Sequence, residues 1–355
     1  ELQNNPAMTL KIMCWENWSM NNEKKLNLPQ SLILLLLIII SVAVCIRLKT
    51  GGPMIGLFAS WIFIYLFCKA VRIPYDHVVS GAYESIRMVV PTLCLLMAIG
   101  VMIGTWLQSG TIATIIVWGL QMINPAWLLP LTLIFCSVLS LVTGTSYGSV
   151  GSAGVAMMAI GNAMGINPGM VAGAVICGAM FGDKLSPLSD TTNLAPAVAG
   201  AKLGDHVRSM LWTTLPTYVI TFVLFTILGI QQTSGSYTEA NMSAYIGALN
   251  GEFQLGLVTM IPAVLIIVLL LCKVNAISAL GLSSFAAGAI SFFVQHDSLQ
   301  SIIRTAYNGY STEIEEAILK TILNRGGMGS MLQYVAIITF AVGMGGMLEK
   351  LGVLD

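Results

Sequence analysis

The sequence predicts an all-α membrane protein, a polytopic transmembrane helical bundle, on three observations. The run Ser31–Ile46, SLILLLLIIISVAVCI, carries no charge, and with Leu28 and its flanks it reaches the roughly 20 residues that a helix needs to cross a bilayer. Only 9% of the 355 residues are charged while 56% are hydrophobic, against roughly 25% charged in globular domains. Segments alternating with a period of two are missing. Lipid cannot satisfy backbone N–H and C=O groups, so the apolar runs are helices, and the missing alternation argues against a barrel.

The elements follow in chain order. Residues 1–19, ELQNNPAMTLKIMCWENWS, show no periodicity and no initiating Met, and are read as upstream sequence or a non-native tail. From Met20 the chain reads MNNEKKLNLPQ, with Lys24 and Lys25 before the first span. The apolar run that follows is too long for a cleavable signal peptide and has no small-residue cleavage site. Spans are expected at 29–47, 53–69, 91–108, 127–143, 209–230, 254–272, 275–293 and 331–348, with shorter Gly-rich apolar pieces between 110 and 200.

A cytoplasmic N-terminus puts Lys24, Lys25, Lys69, Arg72, Arg87, Lys202, Arg208 and Lys273 inside, as the positive-inside rule prefers. A weak internal repeat relates Val78–Tyr83 to Ile302–Tyr307 and Ala98–Gly100 to Ala341–Gly343, with opposite directions across the membrane. Inverted repeats of this kind are a transporter signature. The expected organisation is therefore 20–73 as N-terminal spans and 74–230 as a first inverted repeat holding an ion-site segment at 141–201. A connecting loop and spans follow at 231–295, then the start of an incomplete second repeat at 296–355.

Between Leu141 and Ala201 the texture changes to Gly, Ser, Thr and Pro while staying too apolar for an ordinary loop. Broken helix is expected here, because irregular backbone at membrane depth is tolerated where it is buried in protein or lines a cavity. Gly144, Gly148, Gly151 and Gly154 permit close helix approach, and packing is their plainer reading. Asp183 and Asp190 stand inside this segment, in GDKLSPLSDTTNLAP, where a bare carboxylate would cost several kcal/mol and so calls for a partner. Lys184 is a candidate charge partner. Ser186, Ser189, Thr191, Thr192 and Asn193 offer the oxygen ligands that a hard cation prefers. Pro187 and Pro196 interrupt the helix and free carbonyls for the same task. The alternative is a charged turn at the membrane surface.

Desolvation raises the pKa of an aspartate from about 3.9 toward neutrality, and a bound cation lowers it. Proton and sodium then compete for one carboxylate. Asp190, among ligand-type neighbours, is the expected sodium-binding residue, and Asp183 beside Lys184 is a second ligand or a gating ion pair.

The run Gly182–Gly200, GDKLSPLSDTTNLAPAVAG, resembles the hallmark segment of the NhaC family of sodium–proton antiporters, and Thr143–Gly154, TGTSYGSVGSAG, resembles its companion motif. The resemblance implies a multi-pass exchanger of the inner cell membrane, belonging to the ion-transporter superfamily, with sodium and protons as substrates, no cofactor and no enzymatic step. Asp183, Ser186, Ser189, Asp190, Thr191, Thr192 and Asn193 match one family motif, and Thr145, Ser146 and Ser149 the other. Family members continue past the position of Asp355 with a second polar broken-helix segment, so this chain is expected to be a C-terminally truncated portion.

The nearest rival is an organic-anion exchanger of the malate/lactate–sodium type. An anion site needs an Arg or facing helix N-termini; no Arg lies between Arg87 and Arg208, and Lys184 is the one cation of the core segment. A remote alternative is a membrane serine hydrolase, since Gly144–Gly148 spells G-x-S-x-G around Ser146. His77, His206 and His296 fall in expected extramembrane segments without triad context. Zero net charge suggests no nucleic-acid partner, the lipid bilayer is the main partner, and homo-oligomerisation stays open. Cys45, Cys68, Cys94, Cys136, Cys177 and Cys272 read as small buried hydrophobes rather than metal ligands or disulfides.

Overall fold

The computed structural model describes residues 26–48, 53–186, 189, 192, 196, 201–232, 239–313, 319–320 and 323–353. The expectation for residues 1–19 falls outside them. The described residues are helical throughout their regular elements: α1 (Leu28–Arg47), α2 (Pro53–Val71), α3 (Tyr75–Gln108), α4 (Thr111–Met122) and α5 (Pro125–Thr143). Next come a single turn α6 (Ser146–Ser149), a π-helical segment (Val150–Gly154), α7 (Val155–Ala163), α8 (Pro168–Leu185) and α9 (Leu203–Gln232). The chain continues with α10 (Glu239–Glu252), a 3₁₀ turn (Val258–Met260), α11 (Ile261–Leu271), α12 (Ala276–Phe293), α13 (Leu299–Asn308) and α14 (Met328–Lys350).

Seven of these, α1, α2, α3, α5, α9, α12 and α14, are long and apolar enough to cross a membrane, and Thr111–Met122 and Val258–Leu271 are shorter apolar helices. The protein is an all-α polytopic membrane protein. Local chemistry explains where several helices start. Asn124 and Asn167 each precede a proline and accept from the amide two residues on, Ala126 at 3.0 Å and Gly169 at 2.8 Å. The asparagine caps an orphan N–H, and proline at the first helical position has no N–H to leave unpaired. Asn275 caps α12 in the same way, through Ile277 at 2.9 Å.

Three expected spans differ: 209–230 begins earlier, at Leu203 in α9, 254–272 shortens to the 3₁₀ turn and α11, and 91–108 begins well before Pro91. The span expected from residue 91 is the second half of a 34-residue helix, with Pro91 inside it. A proline removes one backbone donor, and membrane helices tolerate this where neighbours re-satisfy the freed groups. Its counterpart in the proposed repeat is interrupted: Ile302–Tyr307 lies on α13 and Ala341–Gly343 on α14. Between them Gly309, Gly326 and Gly327 take φ of 92°, 85° and 80°, which halts helix propagation.

The chain forms two compact units, residues 1–96 with 332–355, and residues 97–331. In the first, Gly56 lets α2 press on the backbone of α1 at Val42, and Ser41 donates to its carbonyl at 2.9 Å. Gly81 and Gly346 meet backbone to backbone, the small-residue contact by which membrane helices approach closely. Beside them Trp61 donates to the Phe340 carbonyl at 2.9 Å, and Lys350 pairs with Glu84 at 3.2 Å.

In the second unit, α5 and α8 pack along one seam. Gly178 faces the Leu133 carbonyl and Gly182 that of Ser137, so the contacts advance in the same sense along both helices and the two run parallel. Helix α9 covers α5 through Tyr218, whose hydroxyl is 3.0 Å from Ser137 Oγ and whose ring stacks on Phe181 at 3.9 Å. Cysteine burial is a partial correction. Cys68 and Cys136 are buried, but Cys177 is exposed in the groove it shares with Thr213, Thr217 and Tyr218, and Cys272 is exposed in the turn that ends α11.

Candidate functional site

The parallel packing of α5 and α8 brings two helix C-termini together. Helix α5 ends at Gly144, which takes the left-handed conformation (φ 68°, ψ 25°) and returns its N–H to the Ser140 carbonyl at 2.8 Å. Thr145 is extended, and its side chain accepts from Gly148 N to start the turn of α6. Ser149 donates to the Thr145 carbonyl at 2.9 Å and Ser152 to that of Gly148 at 2.7 Å. The helix then widens into the π segment, a form common at functional sites. The broken helix expected in 141–201 is thus present at 144–154.

Asp183 lies in the last turn of α8 with 6% of its surface exposed. Gly182 beside it touches the backbone of α5 at Ser137 and Leu141, so no side chain separates the helices at this level. The Asp183 carbonyl accepts from Ser186 N at 3.1 Å and from Thr192 Oγ1 at 3.0 Å, and the same hydroxyl reaches the Lys184 carbonyl at 3.1 Å. Ser186, Ser189 and Thr192 are buried to within 3% of completely, as is Ser149. The turn Ser146–Ser149 packs on α8, and Ser140 Oγ donates to Ala179 O at 2.6 Å while lying 3.4 Å from Thr145 O. The two sequence motifs are therefore neighbours in space. Each helix C-terminus carries about half a negative charge, so the pair with Asp183 favours a cation.

Asp190, Thr191 and Asn193 lie outside the described residues. Thr145 and Ser146 are half-buried in the break. Lys184 does not face Asp183: its side chain is exposed and lines a groove of about 340 Å³ with Thr213, Thr217 and Tyr218, and no ion pair joins the two among the described residues. Successive helical residues point about 100° apart, which is why a neighbour in sequence is no partner here.

A cavity of about 280 Å³ adjoins the π segment, lined by Leu107, Val150, Met158, Asn162 and Val175, and by Arg325. Sequence reasoning looked for a basic residue near 141–201 in the chain and so missed this one. Gly326 and Gly327, with positive φ, let the backbone after Arg325 press on α3, where Gly327 N donates to Gly100 O at 2.7 Å. The hydrolase reading fails on geometry. Ser146 opens a helical turn after another helix, whereas a nucleophile elbow sits on a strand-to-helix turn, and the described residues contain no strand.

The Na+/H+ antiporter family model matches residues 178–355. The chain is 34% identical to the Na(+)/H(+) antiporter NhaC of Alkalihalophilus pseudofirmus, over 94% of this chain and 72% of that protein. It is 39% identical to the malate-2H(+)/Na(+)-lactate antiporter of Bacillus subtilis, over 84% of this chain and 64% of that protein. Identity to the Na(+)/H(+) antiporter NhaC of Bacillus subtilis is 32%, over 95% of this chain and 74% of that protein. The chain thus spans between 64% and 74% of the length of these relatives. No solved structure matches it.

Proposed function

Because the chain belongs to the Na+/H+ antiporter family, we propose that it exchanges sodium for protons across the cell membrane by alternating access, at the carboxylates of the 183–193 segment. The observation that carries this reading is the burial of Asp183 where the carbonyl ends of α5 and α8 converge among serine and threonine hydroxyls. A proton removes the charge; a sodium ion, met by hydroxyl and carbonyl oxygens, offsets it. The two ligands exclude each other, and exchange follows if the site opens to one side at a time.

Asp190 is the principal ion-binding residue of this reading, on its sequence context of Ser189, Thr191, Thr192 and Asn193. Asp183, Ser186 and Ser189 complete the site, with Thr145, Ser146 and Ser149 on the facing break. The N-terminus is cytoplasmic on the distribution of Lys and Arg. The test is sodium-driven pH change in everted vesicles. Asp190→Asn abolishes exchange while membrane insertion stays intact, and Asp183→Asn reduces it severely. Retained exchange with unchanged sodium affinity in Asp190→Asn would move the site elsewhere.

Arg325 favours a second reading, exchange of an organic acid, as the name of the Bacillus subtilis malate–lactate relative suggests. Arg325 lines the cavity beside the π segment and brings to it a cationic residue, which the 141–201 stretch lacks apart from Lys184.

A further inference from the structure

The break between α3 and α4 holds a second buried polar cluster, apart from the carboxylate segment. Helix α3 ends at Gln108, Gly110 turns the chain with φ of 75°, and α4 starts at Thr111. Ser109, Thr111 and Thr114 are completely buried and Gln108 is 2% exposed. Gly100, Gly104 and Gln108 follow at intervals of four and share one face of the helix. On that face Gly100 O accepts from Gly327 N at 2.7 Å, a Cβ at Gly104 would lie 2.7 Å from Thr305 O, and Gln108 Nε2 donates to Ser301 Oγ at 2.9 Å.

With its amide –NH2 committed to Ser301, Gln108 is left with Oε1, a buried acceptor that has no hydrogen-bond partner. The hydroxyls of the α3–α4 break are engaged with one another and with backbone carbonyls. Ser109 Oγ bonds Trp106 O at 3.2 Å and lies 2.8 Å from Thr111 Oγ1, and Thr114 Oγ1 bonds Gly110 O at 2.9 Å and lies 2.6 Å from Thr259 Oγ1. Gln295 Nε2 is taken by Ser109 O at 3.1 Å. A buried polar atom in this state calls for an ion or a water from outside the protein. The negative end of the α3 dipole lies at the same residue and favours a positive occupant.

We propose that Gln108 Oε1 is a ligand of a monovalent cation, sodium, held at the α3–α4 break as a second cation position distinct from the carboxylate segment. The proposal rests on sodium being a substrate of the protein. A neutral amide oxygen suits this ion, because a hard monovalent cation takes uncharged oxygens without needing a counter-charge.

Purified protein in detergent is titrated with NaCl against choline chloride at constant ionic strength, reading the midpoint of thermal unfolding. Sodium binding to the folded state raises that midpoint, because it stabilises the folded form by RT ln(1 + c/Kd), with c the free sodium concentration, from which the dissociation constant is fitted. In the Asp183→Asn/Asp190→Asn double variant, which lacks both carboxylates of the first site, a sodium response persists, and adding Gln108→Leu raises its apparent dissociation constant by about tenfold, the effect of losing one ligand. Gln108→Glu, which keeps an oxygen and adds charge, binds at least as well as wild type, and it carries the test if Gln108→Leu fails to fold. An unchanged sodium titration in Gln108→Leu, or one in Gln108→Glu weaker than wild type, overturns the proposal and identifies the occupant as a water only. That result leaves exchange untouched, since exchange is read separately in vesicles with Asp190→Asn. Absence of any sodium response in wild type overturns the second position as well.

Discussion

The hydroxyl of Ser140 donates to the carbonyl of Ala179 at 2.6 Å, joining the last turn of α5 to α8 one turn before Asp183. The same oxygen is 3.4 Å from Thr145 O, so one buried hydroxyl touches both the helix break and the carboxylate helix. Ser140→Ala removes this tie and leaves a small void. The expected loss is about 1 kcal/mol of stability, the net worth of a typical hydrogen bond, with a several-fold rise in the sodium concentration that half-saturates exchange. Thermal unfolding in detergent and sodium-driven pH change in vesicles check the two parts separately.

Gly182 has the tightest helix contact near the site. A methyl group there would overlap Ser137 O and stand 2.6 Å from Leu141 N, and both are backbone atoms that no rotamer change can move. Gly182→Ala is therefore expected to push α5 and α8 apart, at about 1–3 kcal/mol or more, and to abolish exchange. Gly281→Ala in α12 is the control. A Cβ there meets nothing within 4 Å, so that variant keeps wild-type exchange and melts no lower. Equal behaviour of the two variants would mean that the α5–α8 seam is not a determinant of the site.

Thr192 is the described residue that folds the chain back on Asp183 after α8. Its hydroxyl bonds the carbonyls of Asp183 and Lys184 at 3.0 and 3.1 Å. Thr192→Val preserves shape and removes both bonds, and is expected to weaken apparent sodium affinity several-fold while costing roughly 1 kcal/mol of stability. Thr192→Ser keeps the hydroxyl and is expected to stay near wild type. Apparent sodium affinity in vesicles compares them; equal affinities in Val and Ser variants would assign Thr192 to packing alone.

What could be read from the sequence were features carried by neighbours in the chain. The spans followed from apolar length, and the break at 144–154 from glycine and hydroxyl density within an apolar stretch. The first half of helix α3 lies outside the expected span 91–108, because Asp76, Glu84 and Arg87 interrupt its apolar run. Arg325 and Gln108 were invisible for another reason. Each matters through partners more than 140 residues away, at the π segment and at Ser301 respectively, and no local pattern marks such a convergence. Lys184 shows that adjacency in sequence is not pairing: its exposed side chain lines the groove beside α9 and makes no ion pair with Asp183 among the described residues, while Asp190 lies outside them.

Arg325 separates the two transport readings. If the cavity beside Val150 and Asn162 receives a carboxylate, the guanidinium is its anchor, because the other lining groups are apolar apart from that one amide. A charge-assisted, bidentate contact of this kind is lost entirely in Arg325→Gln. Sodium–proton exchange at the 183–193 segment does not use the guanidinium as a ligand, since a cation site gains nothing from a positive side chain. The expected outcome is that Arg325→Gln leaves sodium-driven pH change within about twofold of wild type, which is less than 0.5 kcal/mol, and that vesicles carrying wild type show no counterflow of radiolabelled malate. Malate counterflow in wild type that disappears in Arg325→Gln would instead make the organic acid the substrate and this cavity its site.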